Sequence, residues 1–523
     1  MAAFFTLVFP TTFLVVIAAI AGNEVIDDRA GIRFAQFLTP VFAVFGICMA
    51  SFVSLALGVA YAREAGVLKR LRTTPLPAWI HIAGRITTAM VVSIVALLLI
   101  VAVGVVFYGV DIVWRTVPAV LLTVVVGVFC FAALGMAAVA IAPTPGATQA
   151  LTNGGLILLA FVSDIFIVQL PDWLDQVGWV FPLKHFVNAV ADDFNPYLTG
   201  SGLYWDRLAV MAAWGIVGVA IALRFFTWEP RPSRAARRRS RAADEATTDT
   251  APASGRAVAT LAPPARTDPP SRWSLVTAQV KHATIGLIRD PMSVFFAVIF
   301  PVVLLVFFSA IYGQEATWAG LPLPQYLAAA FAVYGVAVMA YVTLASSVVD
   351  DRGRGVLKRL RGTPLPPWAY LAGRVGATLV LGLTTVLLVF AVGAFFGVRV
   401  GPIALIVGVG VYLVIIGALA ALGLLLASLV DSPQSAVALS LATLLPLSMI
   451  SDIFVNAPEL PSVLSAIAWT FPLRHMAWIA AQTTSGGEFA AEWFLHLGVI
   501  AGWGAVAALL AWRLFRWEPR RKS

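Results

Sequence analysis

Charged residues are scarce in this chain: they make up 12% of its 523 residues, whereas 60% are hydrophobic. A soluble globular protein carries about 25% charged residues, so the shortage excludes an ordinary soluble enzyme. Apolar runs of about 20 residues or more recur along the whole sequence, and each is long enough to cross about 30 Å of hydrocarbon as a helix. The composition therefore predicts an all-α polytopic membrane protein.

Motifs for redox, metal and nucleotide chemistry are also missing. The two cysteines, Cys48 and Cys130, fall in apolar runs without C-x-x-C spacing, which argues against a disulfide framework, a zinc site or redox chemistry. The sequence has no Gly-Lys dipeptide and hence no phosphate-binding loop, and its five histidines are scattered. We therefore expect no catalytic residue, no metal ligand and no cofactor in this chain.

The net charge of +9 does not indicate a nucleic-acid partner, because Lys and Arg gather in short segments between apolar runs, as positive-inside topology requires.

The apolar runs form two groups of six. The first group of predicted spans is 4–20, 37–61, 79–107, 116–142, 148–168 and 204–226. The second group is 291–311, 326–349, 368–396, 402–430, 435–454 and 493–515.

Residues 231–270, between the two groups, are poor in large apolar side chains and cannot bury enough surface to fold. The sequence thus predicts a first transmembrane domain over 1–230, a disordered cytoplasmic linker over 231–270, and a second transmembrane domain over 271–523. Because each domain has an even number of spans, we expect both to share one orientation, with a pseudo-two-fold axis along the membrane normal and both termini in the cytoplasm.

The two domains are copies of one another. Residues 66–77 recur as 355–366 with one difference, Thr73 against Gly362. Ser-Asp-Ile-Phe at 163–166 recurs at 451–454, and Phe-Pro-Leu-Lys-His at 181–185 recurs as Phe-Pro-Leu-Arg-His at 471–475. Such self-similarity indicates an internal duplication.

One segment has no copy. Residues 271–290 place apolar side chains at helical spacing, which predicts a helix lying in the cytoplasmic membrane surface before its span. Either the first domain has lost this helix or the true start of the chain lies upstream.

The duplicated basic loop after the second span of each domain is the most specific feature. Topology needs only its charge, yet the duplication also retains the apolar positions and the proline break in identical register. Leu68 and Leu71 share one face of a short helix that starts after Gly66 and is stopped by proline, a rigid knob suited to docking another protein.

At these residues the sequence resembles the permease subunits of type-2 ABC exporters, including those of daunorubicin and tetronasin export. The resemblance implies that the knobs are coupling helices docking on two copies of a separate cytoplasmic ATPase subunit, which holds the ATP and Mg. The implied coupling residues of the first domain are Arg63, Glu64, Gly66, Leu68, Lys69, Leu71, Arg72 and Pro75. Those of the second domain are Asp351, Arg352, Gly355, Leu357, Lys358, Leu360, Arg361 and Pro364.

The first loop departs from the family pattern because Ala62 replaces the leading acid and Glu64 is displaced by two positions. A carboxylate at Asp351 can pair with Arg352 or Arg354, or cap the short helix, whereas Ala62 can do neither. We therefore expect the second loop to be better ordered and more strongly coupled to its ATPase.

Two other classes remain open. A proton-driven major facilitator also has twelve spans and a basic loop after its second span, but its motif fits 351–355 only partly, and acidic residues are almost absent from the predicted spans. A membrane scaffold without transport fits the composition but leaves the docking loops unexplained.

The repeated Ser-Asp-Ile-Phe leaves two interpretations open. Asp164 and Asp452 are solvated or capping carboxylates at the membrane interface, or they form, with Phe166 and Phe454, a polar pair facing the axis at an outer gate. The resemblance implies a permease of the bacterial plasma membrane that works in the direction of export. The largely apolar cleft expected between the domains indicates a hydrophobic or amphipathic cargo, such as a drug or lipid-like metabolite. Membrane lipids surround the permease.

Overall fold

The computed structural model describes residues 7, 9–20, 25–27, 32–73, 78–166, 170–227, 271–312, 317–318, 320–363, 365–454, 460–485 and 491–518. The predicted linker, 231–270, lies outside these residues, so its disorder stays a prediction, as do the three domain boundaries.

Nineteen helices are numbered here along the described chain. Those of the first half are α1 Phe9–Ile20, α2 Phe34–Glu64, α3 Val67–Arg72, α4 Ala78–Tyr108, α5 Val117–Ile141, α6 Pro145–Phe161, α7 Asp172–Gly178, α8 Pro182–Asp193 and α9 Trp205–Phe225. Those of the second half are α10 Arg272–Ile288, α11 Pro291–Tyr312, α12 Leu323–Gly353, α13 Val356–Arg361, α14 Pro367–Gly393, α15 Pro402–Leu429, α16 Pro433–Ile450, α17 Ser462–Thr470, α18 Pro472–Thr484 and α19 Ala491–Leu514.

The polytopic all-α prediction is confirmed, since ten of the described helices are long and apolar enough to cross a membrane. Helices α1 and α6 fall short of the twelve predicted spans, with 12 and 17 described residues. Seventeen residues rise about 26 Å, slightly less than the hydrocarbon thickness. Two short strand pairs precede α2 and α12 and were not predicted: β1 Val25–Asp27 with β2 Ile32–Arg33, and β3 Thr317–Trp318 with β4 Leu321–Pro322.

Each of the two long helices α2 and α12 contains a π-helical segment at the same repeat position. These segments are Met49–Ser54 and Val338–Thr343. A glycine of the fourth predicted span packs against each segment: a Cβ on Gly135 would lie 2.8 Å from the carbonyl oxygen of Phe52, and one on Gly423 would lie 2.4 Å from that of Ala340. Only glycine allows this backbone approach.

The unmatched segment forms a helix, as predicted. Ser271 caps α10 by accepting a hydrogen bond from the Ser274 amide, and Ala283 and Leu287 are buried. The helix lies against the start of α14, where a Cβ on Gly373 would come within 2.4 Å of Gln279. Its location in a membrane surface stays a prediction.

Candidate transport cavity and coupling helices

A cavity of about 1300 Å³ lies between the two halves of the chain. It follows α12 over nearly its whole length, because both Leu323 and Asp350 line it. A separation of 27 residues corresponds to about 40 Å of helix. The π-helical segments also face this space, with Met49 on one side and Val338 and Thr343 on the other.

One end of the cavity is aromatic. We call it the aromatic end and define it by Phe161, Phe166, Phe308 and Phe454, all of which line the cavity. The ring of Phe161 lies 5.0 Å from that of Phe166 and 5.9 Å from that of Phe308, so aromatic contacts join the two halves here. Contacts at this spacing favour a dry, well-packed closure.

The other end, the mouth, is polar and asymmetric. The first half contributes Tyr61, Thr144, Gln149 and Asn153 to it. Among the described lining residues, every Asp, Glu, Lys, Arg and His belongs to the second half. These are His282, Arg289, Asp290, Asp350, Asp351, Arg354 and Arg374. Three of the seven, His282, Arg289 and Asp290, lie in α10 and the turn after it.

The two basic loops form the short helices α3 and α13, each of six residues. Both begin after a glycine with positive φ, 69° at Gly66 and 69° at Gly355. This left-handed conformation is strained for other residues, which explains why glycine precedes both helices. The two helices begin and end at equivalent positions of the two repeats. The prediction of a short helix in each loop is therefore confirmed.

The leucine face of these helices does not point outward, contrary to the docking surface that we predicted for it. Leu68 is 1% exposed and Leu357 is 0% exposed. Leu68 packs in a cluster of its own half with Val59, Ala89 and Met136, and Leu71 packs partly against the same cluster. Leu360 is partly buried as well. The leucines therefore fasten each short helix to the membrane domain.

The outward faces are basic instead. Lys69 and Arg70 are exposed on α3, and Lys358, Arg359 and Arg361 are exposed on α13. Glu64, at the end of α2, is also exposed. We call these two surfaces the basic faces. Pro75 and Pro364 lie outside the described residues, as does the side chain of Arg72.

Arg63 and Arg352 do not belong to the basic faces, since each is 2% exposed. Arg63 donates hydrogen bonds to the carbonyl oxygens of Val139 (2.8 Å) and Ala142 (2.7 Å), at the end of α5. Arg352 makes the equivalent bonds to the carbonyls of Ala427 (3.1 Å) and Val430, at the end of α15. A cation at a helix C-terminus satisfies carbonyls that have no partner within the helix. These arginines anchor the segments that lead into α3 and α13.

The partner expected for Asp351 is also corrected. Its carboxylate neither caps α13 nor pairs with Arg352 or Arg354; it accepts hydrogen bonds from the hydroxyl of Tyr370 (2.7 Å) and from the Arg374 guanidinium. Asp350, one residue earlier, forms an exposed ion pair with Arg354, in which Oδ2 of Asp350 lies 2.9 Å from Nε of Arg354. The acid therefore ties α12 to the next long helix, α14.

The first half keeps the equivalent arginine without the acid. Arg85 occupies the repeat position of Arg374, and its guanidinium lies beside Gly58, where a Cβ would come within 2.8 Å. Among the described residues, Arg85 has no carboxylate partner in an ion pair. The two coupling helices are therefore held differently, although for a reason other than the predicted cap.

The two aspartates of the predicted outer gate lie in an unusual backbone conformation. Asp164 and Asp452 have positive φ, 60° and 57°, unlike any other non-glycine residue described. Neither lines the cavity; Asp164 pairs with Lys184 (3.1 Å) and Asp452 pairs with Arg474 (3.0 Å) of its own half. The rings of Phe166 and Phe454, two residues later, do line it. The rings rather than the carboxylates thus face the other half, and a gating role stays a prediction.

Sequence reasoning missed four side chains of this site: Tyr370, Arg374, Lys184 and Arg474. The last two stand in the repeated Phe-Pro-Leu-Lys/Arg-His, so the retained positive charge was a usable signal. Among the described residues, no group of three His, Cys, Asp or Glu side chains is placed to hold a metal ion.

The chain matches two family models. One, described as ABC-2 type transporter, matches residues 274–482, and the other, described as ABC-2 family transporter protein, matches residues 28–224. Both halves of the chain belong to the ABC-2 type transporter family. The ABC-2 chain is therefore a permease with two tandem domains, and its matches give no support to the major-facilitator alternative.

A curated relative is similar to part of this ABC-2 permease. The daunorubicin resistance ABC transporter permease protein DrrB1 of Streptomyces coeruleorubidus is 27% identical over 256 residues, which are 47% of this chain and 89% of the relative. The alignment therefore spans nearly all of the relative and about half of this double-length permease. ABC-2 permeases are the transmembrane components of transporters whose ATPase is a separate subunit.

Proposed function

We propose that this ABC-2 permease exports hydrophobic or amphipathic compounds from the cell through the cavity between its halves, driven by ATP hydrolysis on partner subunits. The observation that carries the proposal is the continuity between cavity and coupling helices. Tyr61 lines the cavity in the last turn of α2, which leads into α3, and Asp351 and Arg354 line it immediately before α13. A movement of either coupling helix is thereby transmitted to the cavity wall.

The lining fits a cargo with an apolar body and a polar group. Phenylalanine and methionine side chains surround the aromatic end, whereas the mouth presents Arg289, Arg354 and Asp350. An apolar body gains free energy by leaving water for such a surface, at about 25 cal/mol per Å² buried. The polar group stays at the mouth, where it finds charged partners.

Two copies of the ATPase subunit would dock on the two basic faces and supply the nucleotide site, with ATP and Mg bound there. Lys and Arg at an interface rim complement an acidic partner and raise its association rate. The leucines beneath each basic face hold the short helix rigidly against the membrane domain. A displacement of the short helix by the ATPase therefore moves the membrane domain with it. The permease itself contributes no catalytic group.

The orientation follows from charge. The exposed Lys and Arg of α3 and α13 support a cytoplasmic mouth, in line with the positive-inside rule. The aromatic end then faces outward, and an even number of spans in each half leaves both termini in the cytoplasm. The location is the bacterial plasma membrane.

Charge reversal on the basic faces tests this function. The double variant Lys358→Glu with Arg359→Glu should lose both co-purification of the ATPase subunit that accompanies the wild-type chain and its cargo-stimulated ATP hydrolysis. Arg399→Glu, an exposed reversal beyond the other end of α14, is the matched control and should change neither. Full retention of the ATPase by the double variant, and by its first-half equivalent at Lys69 and Arg70, would contradict the proposal.

A further inference from the structure

The equivalent helices α6 and α16 each present one stripe of side chains to the cavity, because residues four apart lie on the same helix face. From the mouth towards the aromatic end, the stripe of α6 is Gln149, Asn153, Ile157 and Phe161. At the equivalent positions of α16 the stripe is Val437, Leu441, Leu445 and Met449, which also line the cavity. We call Gln149 and Asn153 the amide pair. The two walls of the cavity thus differ in polarity at this level.

Contacts with the second half show where the amide pair lies along the cavity. A Cβ on Gly146 would lie 3.6 Å from the Asp290 carboxylate, and a Cβ on Gly154 would lie 2.6 Å from the ring of Phe295 in α11. The amide pair lies between these two levels, and its members are about 6 Å apart along the helix axis. Gln434 of α16 also lines the cavity, but at the repeat position of Gly146, nearer the mouth. The amide pair therefore separates the charged mouth from the apolar part of the cavity.

The side chains of the amide pair are half-buried and have no hydrogen-bond partner among the described residues. The other polar side chains of this helix do have partners: the hydroxyls of Thr148 and Thr152 donate to the carbonyls of Thr144 and Thr148, at 3.1 and 2.9 Å. An amide in a membrane-spanning helix ordinarily forms hydrogen bonds with a neighbouring helix. The amide pair is thus available to a molecule inside the cavity.

Water solvates these amides while the cavity is open, and cargo that fills the cavity removes that water. An amide that loses its water without gaining another partner costs free energy, so the amide pair disfavours a purely hydrocarbon cargo. Each amide offers N–H donors and a carbonyl acceptor, which match a carbonyl, hydroxyl or amide group. An ionised group would find its partners at the mouth instead, since the described charged lining residues belong to the second half.

We propose that Gln149 and Asn153 are specificity-determining residues that bind an uncharged carbonyl, hydroxyl or amide group of the cargo. Val437 and Leu441, on the opposite wall, contact the apolar side of the same molecule. The first half thereby selects the hydrogen-bonding group of the cargo, and the second half supplies apolar surface at this level. This inference rests on the proposed export function, because it assumes that cargo occupies this cavity.

Two related dyes test the proposal. Prodan is a fluorescent naphthalene with a dimethylamino group and a propionyl carbonyl, and its emission moves to longer wavelength when the carbonyl accepts a hydrogen bond. The comparison dye is the same naphthalene without the propionyl group. Binding is measured without ATP, on the full chain with its ATPase subunit in lipid nanodiscs, as the saturable fluorescence that nanodiscs without protein lack.

The variants Gln149→Met and Asn153→Leu remove one amide each and nearly keep the size of the side chain. The matched control is Thr152→Val, because the Thr152 hydroxyl bonds within its own helix and does not line the cavity. We expect each amide variant to raise the dissociation constant of prodan roughly fivefold, the factor for one neutral hydrogen bond. The emission of bound prodan should move to shorter wavelength. Thr152→Val should change neither quantity.

The comparison dye should bind the amide variants at least as tightly as the wild type, because it has no group to lose a partner. Equal weakening of both dyes would show that the amides shape the cavity and do not bind cargo, and would overturn the proposal. Unchanged prodan binding in both variants, or no saturable prodan binding by the wild type, would overturn it as well. The two single variants give independent readings if one of them folds poorly.

ATP hydrolysis separates this inference from the proposed function. The prodan concentration that half-maximally stimulates hydrolysis should rise in the amide variants by the same factor, with an unchanged maximal rate, as expected for lost binding. A lower maximal rate at an unchanged half-maximal concentration would overturn the binding role. Absence of any ATP-driven export by the wild type would instead refute the proposed function, and the difference in binding between the two dyes would still stand.

Discussion

Replacing Arg352 by methionine probes the anchor of the second coupling helix. Methionine keeps an unbranched apolar stem in place of the arginine stem, but the carbonyls of Ala427 and Val430 lose their donors. A hydrogen bond from a charged group contributes about 1.5–3 kcal/mol. Two such bonds give about 3–6 kcal/mol, and part of this is offset because the variant no longer has to bury a cation.

We therefore expect a net destabilisation of about 2–4 kcal/mol, measured as a lower thermal unfolding temperature of the purified chain in one detergent. Arg352→Lys should fall between wild type and methionine, because an ammonium group lacks the guanidinium fork that reaches both carbonyls. Arg354→Met is the matched control: its side chain is 74% exposed, in a surface pair with Asp350, so its effect should stay below about 1 kcal/mol.

The same variants separate an anchor from a docking contact. If Arg352 acts by anchoring its helix, Arg352→Met should lose ATPase binding only to the extent that it loses stability. Arg63→Met should behave in the same way, because Arg63 makes the two equivalent hydrogen bonds in the first half. An Arg352→Met chain with an unchanged unfolding temperature that no longer binds the ATPase would refute this reasoning and return Arg352 to the docking surface.

Three further outcomes are expected. Leu357→Ala should cost about 2–5 kcal/mol, seen as a lower unfolding temperature, because the side chain is fully buried in its own chain. Burial, reinforced by the Asp192 carboxylate, raises the pKa of Asp193 from 3.8 to about 7, so the folded chain binds a proton that the unfolded chain has lost. The stability of the folded chain should therefore fall as the pH rises from about 4 to 7. Unfolding temperatures measured across this range should show the fall in the wild type and not in Asp193→Asn. A wild-type unfolding temperature that does not change with pH would contradict the raised pKa. Gly423→Ala should reduce folded yield on gel filtration, since the added methyl meets the carbonyl of Ala340.

The sequence alone sufficed to place the two short helices, α3 and α13. The duplication, a glycine before each helix and a proline after it fixed their bounds, and the shared face of Leu68 and Leu71 was identified correctly. What that face contacts was predicted wrongly. An apolar stripe shows that a surface is buried, but a stripe buried against a partner and one buried against the chain's own helices have the same pattern.

Long-range partners were harder to predict than local ones. Asp351 was expected to act within its own turn, yet its partners Tyr370 and Arg374 lie in α14, 19 and 23 residues away. Asp164 and Lys184 were each noticed in a repeated motif, but their pairing depends on how the segment between them folds. Spacing along a helix predicts neighbours three or four residues apart and carries no information on such pairs.

Transport into inside-out membrane vesicles tests the central claim most directly. Vesicles containing the chain and its ATPase subunit should accumulate an amphipathic fluorescent compound on addition of ATP and Mg, and a proton ionophore should leave the rate unchanged. Vesicles with the chain alone should accumulate none. Accumulation by the chain alone, driven by an imposed pH gradient and abolished by the ionophore, would contradict the account.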